Sequence, residues 1–198
     1  MNQPSLPPVL VPQYFGSIIY DPHTAQYFPF DEEATRLFRQ MSSTPVSKIL
    51  QEEPDSDRRK QIQGFYADFN SKGFFSSDQI FKGRILNAQP VRDHLTGPLT
   101  LHLEVSDSCN LRCKHCFAGQ IQSHGDALTL RELASLFDSM AKIGTFRLGL
   151  TGGEPLLRAD LFDIIDLAIE KGLVPCLTTN GLLIWFNGNL RGTRQIWG

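Results

Sequence analysis

Ala34, Leu37, Phe38 and Met41 recur at i, i+3, i+4 and i+7, and Ile62, Phe65, Tyr66 and Phe69 repeat that spacing before Gly73. Residues three and four apart share one face of a helix, so both stretches predict amphipathic helices. Ahead of them, the short apolar or aromatic runs Ser17–Tyr20 and Gln26–Phe30 flank Asp21-Pro22-His23-Thr24, a turn composition that predicts a β-hairpin. Between the helices, the acidic stretch from Gln51 to Asp57 contains Pro54 and reads as a loop. Residues 15–86 thus form a small hairpin-plus-helices module. Residues 1–14, rich in proline, read as a disordered terminus, and 87–98, with two prolines and a glycine, as a linker.

From Leu99 the period changes. Leu99, Leu101, Leu103 and Val105 alternate with Thr100, His102 and Glu104, the pattern of a strand with two unlike faces. Thr129-Leu130-Arg131-Glu132 is a capping box opening a helix with Leu130, Leu133, Phe137 and Met140 on one face, ending near Gly144. Phe146, Leu148 and Leu150 alternate again; Leu161, Ile164, Ile165 and Ala168 predict a second helix, and Leu173 to Thr178 a third strand. This β-α-β-α-β order over residues 99–184 predicts an α/β unit with a parallel sheet, whose ligands bind beyond the carboxyl ends of the strands. Residues 185–198 show no sustained period and read as an irregular tail.

Composition narrows the classes. The 198 residues are 41% hydrophobic, enough for packed cores, and 19 basic against 21 acidic residues give no field to draw the chain onto nucleic acid or an anionic membrane. There is no basic amino-terminal region followed by an apolar run, and no run of membrane-spanning length, so a cytoplasmic location is expected. Three of the four cysteines crowd into eight residues, which suits metal binding better than disulfide stapling.

Cys109, Cys113 and Cys116 have C-x3-C-x2-C spacing in a loop directly after the first strand of the α/β unit. A cubane 4Fe-4S cluster normally takes four thiolates, one per iron. Three from this loop would leave one iron open to a ligand bearing an amine and a carboxylate. A zinc site completed by His115 or His124 is the alternative on donor type alone. Cys176 sits in an apolar run and reads as a small buried hydrophobe rather than a fourth ligand. After the second strand, Thr151-Gly152-Gly153-Glu154-Pro155 combines two glycines, which allow close backbone approach, with one negative charge suited to a cationic ligand group. A plain turn into the next helix fits the same residues. Thr178-Thr179-Asn180-Gly181 ends the third strand.

The nonet Cys109 to Phe117 resembles the signature of the radical S-adenosylmethionine superfamily, placed as that family places it, after the first barrel strand. The resemblance implies a 4Fe-4S cluster on Cys109, Cys113 and Cys116 and reductive cleavage of S-adenosylmethionine to methionine and a 5′-deoxyadenosyl radical that abstracts hydrogen from substrate. It implies an external one-electron reductant such as flavodoxin or ferredoxin. Gly152, Gly153, Glu154 and Pro155 match the family's GGEP stretch, which holds the amino group of the methionine moiety; Thr179 and Asn180 are similar to its TNG element. His115 stands where the family usually has an aromatic ring beside the adenine, with Phe117 following the third cysteine.

The amino-terminal layout resembles the small winged-helix, PqqD-like domain fused ahead of many peptide-modifying radical enzymes, those of the SPASM type. That likeness implies a ribosomally made precursor peptide, recognised through its leader, as partner. A winged helix can instead bind DNA, with Arg58-Arg59-Lys60 touching phosphates, but neighbouring Glu52, Glu53, Asp55 and Asp57 favour a solvated surface, so nucleic acid is not the expected partner. The implied fold is a partial radical SAM β/α barrel preceded by a winged-helix-like α+β domain. At about 30 residues per β-α unit, six units need roughly twice the length after Leu99, so a carboxyl-terminal truncation is expected. A non-catalytic fragment serving as a leader-peptide or DNA-binding module is the alternative function.

Overall fold

The computed structural model describes residues 6–116 and 128–184. The chain divides into two compact units, Met1–Thr96 and Gly97–Gly198.

In the amino unit the hairpin is β2 (Gly16–Asp21) with β3 (Gln26–Asp31), paired antiparallel from Gly16 opposite Asp31 to Asp21 opposite Gln26. Asp21 organises the turn: its carboxylate accepts the His23 N–H at 3.0 Å and the Thr24 hydroxyl at 2.7 Å. One strand was not expected. β1 (Val9–Gln13) is buried along its length and pairs antiparallel with β2, so the chain is ordered well before residue 15. Pro12 is tolerated because β4 (Arg84–Ile85), the other neighbour of β1, pairs only with Val9 and Leu10. The sheet order is β3-β2-β1-β4.

Three helices follow the hairpin. α1 (Glu32–Met41) is capped by Asp31, whose side chain accepts the Ala34 N–H at 2.8 Å. α3 (Ser56–Ser71) is capped in the same way by Asp55, held below the usual carboxylate range by the Arg58 and Asp57 N–H groups. Between them α2 (Val46–Glu52) takes up the first part of the stretch expected to loop. Its buried Val46 and Ile49 join Leu10, Ile19, Phe38, Met41, Ile62, Phe69, Phe74, Phe75 and Phe81 in one core. Phe38 is its centre, with ring centroids 4.9 Å from Phe65, 5.0 Å from Phe81 and 5.1 Å from Phe30. The expected linker does not run free over its whole length. Thr96 donates its N–H to Gln13 Oε1 at 2.9 Å and its hydroxyl to the Pro12 carbonyl at 2.5 Å, binding it to β1.

The carboxyl unit is an α/β unit with the predicted order: β5 (Thr100–Ser106), α4 (Leu130–Ile143), β6 (Arg147–Gly152), α5 (Leu161–Glu170) and β7 (Val174–Leu177). The strands form a parallel sheet in the order β5-β6-β7. The capping box of α4 is formed in both directions, Thr129 Oγ1 accepting the Glu132 N–H and Glu132 accepting the Thr129 N–H at 2.8 Å. That contact holds the Glu132 carboxyl below its ordinary range. Gly144 ends the helix at φ +83°, a conformation that strains any residue with a Cβ.

Val105, Leu148 and Leu150 are buried, as are Leu133, Phe137 and Met140 of α4 and Ile164, Ile165 and Ala168 of α5. The alternate strand positions His102, Glu104 and Cys176 are exposed. Cys176 was expected in the core. It lies instead in register with Gly149, on the strand parity opposite to that of Leu148 and Leu150, because successive residues of a strand face opposite ways. No helix among the described residues is long and apolar enough to cross a membrane.

Candidate cofactor site

The parallel strands send their carboxyl ends to one edge, where three loops meet. The first leaves β5 at an irregularity between Glu104 and Ser106 and contains Cys109, Cys113 and Cys116. All three are free thiols, exposed to solvent. The Cys116 N–H donates to the Cys113 carbonyl at 3.2 Å, and the Leu111 N–H to Cys109 Sγ at 3.4 Å. The donor set suits an iron-sulfur cluster: three soft thiolate ligands on one short loop, none spent on a disulfide, one already accepting an amide hydrogen. Among the described residues no three His, Cys, Asp or Glu side chains converge on one point, so the loop offers donors rather than a preformed cage. His115 is exposed beside them; Phe117, the alternative zinc ligand His124 and the tail at 185–198 lie outside the described residues.

The second loop follows β6 and is stitched to the first by backbone. The Gly153 N–H donates to the Ser106 carbonyl at 2.7 Å and the Glu154 N–H to the Ser108 carbonyl at 2.8 Å. A Cβ on Gly152 would stand 2.1 Å from the Ser106 oxygen, and one on Gly153 2.2 Å from that of Ser108. The close approach that these glycines permit is therefore to the cysteine loop itself.

Glu154 was expected to offer its charge to a ligand. The structure turns it inward: it is fully buried, and a buried carboxylate must find donors. Oε1 accepts the Leu156 N–H at 2.9 Å and the Thr179 hydroxyl at 2.6 Å, and Oε2 the Asn180 N–H at 2.8 Å. Pro155, also buried, opens the short 3-10 turn Pro155–Leu157. Thr179 and Asn180, on the third loop, are thus clamped to the second. The Asn180 amide then donates to Asn110 Oδ1 at 2.8 Å, reaching the residue after Cys109.

Sequence reasoning missed Arg158. Its side chain is 10% exposed and reaches both flanks of the cysteine segment, donating to the Val105 carbonyl at 2.9 Å and the Leu128 carbonyl at 2.6 Å. Asp160 braces it at 2.7 and 3.2 Å, and the Arg158 guanidinium holds the Asp160 carboxyl below its usual range. The only signal in the sequence was a charged residue four places after Glu154.

Residues 103–190 match the profile of the Radical SAM superfamily. Over this segment the chain is similar to that family. Similar curated proteins include GTP 3′,8-cyclase 3 of Mycobacterium bovis, 36% identical over 112 residues, 52% of this chain and 30% of that protein. The AdoMet-dependent heme synthase of Oleidesulfovibrio alaskensis is 40% identical over 82 residues, 41% of this chain and 21% of that protein. The chain thus spans under a third of the length of these relatives. Both of these relatives are named as enzymes. Among solved structures, Streptococcus suis SuiB bound to its precursor peptide SuiA superposes with a TM-score of 0.57 at 16% identity, over 89% of this chain and 42% of SuiB. SuiB bound to S-adenosylmethionine gives a TM-score of 0.53 at 19% identity, over 89% of this chain and 41% of SuiB. The chain's fold therefore resembles that of SuiB over most of its length.

Proposed function

We propose that the chain binds a 4Fe-4S cluster through Cys109, Cys113 and Cys116 and S-adenosylmethionine at the carboxyl ends of β5, β6 and β7. The observation behind this reading is the free thiol loop joined by backbone hydrogen bonds to the Gly-Gly-Glu-Pro turn. When bound, the cluster supplies one electron to the sulfonium, whose cleavage gives methionine and a 5′-deoxyadenosyl radical. Gly152, Gly153, Glu154 and Pro155 receive the amino end of the methionine moiety, with the inward carboxylate of Glu154 fixing the turn. Thr179 and Asn180 border the nucleoside with His115 and Phe117. An external one-electron reductant such as flavodoxin or ferredoxin completes the cycle. On this reading β5, β6 and β7 are part of a β/α barrel.

The substrate is a ribosomally made peptide, captured through its leader by a winged-helix-like, PqqD-like amino unit. The likeness to SuiB over both units, and the solution of SuiB with its precursor peptide, support this reading. The cyclase and heme synthase relatives match at most about half of the chain and so inform the cofactor chemistry more than the substrate. Nucleic acid is the poorer partner, because the cations expected to meet phosphates are engaged locally: Arg58 with Glu33 at 3.2 Å and Glu53 at 3.1 Å, and Lys60 with Asp57 at 3.2 Å. Under strong reductant, purified protein should release 5′-deoxyadenosine and methionine in equal amounts, and Cys116→Ser should release neither. A fully cluster-loaded chain that forms no deoxyadenosine would favour the non-catalytic alternative.

A further inference from the structure

Arg158 and Asp160 stand apart from the residues proposed to meet the cofactor, yet they bind both flanks of the segment that holds the thiols. Val105 is the last buried residue of β5 before the chain turns out into the cysteines, and Leu128 lies two residues before α4. Two nitrogens of one guanidinium span these carbonyls, while Nε and Nη2 meet the two oxygens of Asp160. A planar fork with fixed donor directions can hold two chain positions at a set separation; an ammonium cannot. We propose that Arg158, oriented by Asp160, is a positioning residue that fixes the flanks of the cysteine segment and thereby sets how firmly a cluster is retained on Cys109, Cys113 and Cys116.

The physical basis is loop entropy. A loop whose ends wander visits many conformations in which its three sulfurs are apart, and a loop pinned at both flanks visits fewer. Binding energy spent on ordering is then saved, so the pinned loop releases iron more slowly. Tethers further along, Gly153 to Ser106, Glu154 to Ser108 and Asn180 to Asn110, all act at or before Asn110. Among the described residues the Leu128 contact is the one from this charged pair that reaches the far side of the cysteines.

The inference rests on the cluster reading above, and its test separates the two. Wild type, Arg158→Lys, Asp160→Asn and Ile164→Val are reconstituted anaerobically with iron and sulfide as the whole 198-residue chain, and loss of cluster absorbance to a chelator is timed. Ile164→Val is the control: it removes one buried methylene from α5 and so weakens the core while leaving Arg158 and Asp160 in place. Arg158→Lys should lose its cluster about tenfold faster than wild type or more, the usual scale for an outer-shell partner of a metal site. Asp160→Asn should fall between the two, and Ile164→Val should match wild type. If Arg158→Lys does not fold, the Asp160→Asn rate decides alone. Iron-free wild type would overturn the cluster reading and this inference with it. Loaded wild type with Arg158→Lys or Asp160→Asn equally retentive, or with Ile164→Val equally leaky, would overturn the inference alone.

Discussion

The amino unit and the carboxyl unit bury their interiors differently. In the amino unit aromatic rings fill the centre, and two of its buried polar residues, Ser17 and Thr35, share a hydrogen bond of 2.7 Å, while the Thr35 hydroxyl also donates to the Asp31 carbonyl at 2.6 Å. In the carboxyl unit the centre is a layer of aliphatic and aromatic side chains from β5, β6 and two helices, and the polar bonds gather at one edge. There a buried carboxylate, a guanidinium and a pair of asparagines link loops far apart in sequence. The first unit also has long-range polar bonds, from Thr96 to Gln13 and Pro12; the second gathers its own at the carboxyl ends of its strands, where they fix three loops to one another.

This contrast can be broken by substitution. The largest effect is expected in the aromatic core: Phe38→Ala should cost the amino unit about 3 to 5 kcal/mol, read as a shift in denaturant midpoint, while leaving iron uptake by folded protein unchanged. A loss below about 1 kcal/mol would show that the rings repack and that Phe38 is not the centre. Next, Glu154→Gln keeps the shape but turns one acceptor into a donor facing N–H and O–H groups. It should cost about 1 to 3 kcal/mol and loosen the Thr179–Asn180 loop, seen as faster hydrogen exchange at the Asn180 amide. Unchanged exchange there would mean that the loops do not depend on the carboxylate. Smallest is Thr129→Ala, which removes a helix cap worth about 1 kcal/mol; a null effect would show that α4 is held by packing alone.

The carboxyl unit was the more legible of the two. Alternation marked β5 and β6, and the capping box marked the start of α4 to the residue, because both depend on near neighbours. β1 was hidden by Pro12, harmless only because β4 stops short of it, a fact of tertiary pairing. α2 was hidden by its seven residues and a Pro45 cap that makes no side-chain hydrogen bond. At the site the cysteines and the glycine turn were readable from spacing. The inward turn of Glu154 was not, since its partners Thr179 and Asn180 lie 25 and 26 residues away. Arg158, with acceptors 53 and 30 residues distant, left no local pattern at all.

The central claim is that the three thiols hold a cluster with one iron open to S-adenosylmethionine. Anaerobic reconstitution followed by reduction and electron paramagnetic resonance tests it directly. The account predicts a 4Fe-4S signal that shifts when S-adenosylmethionine is added and is absent when Cys109, Cys113 or Cys116 is changed to serine. A colourless chain carrying zinc, or a cluster whose signal ignores S-adenosylmethionine, would contradict it.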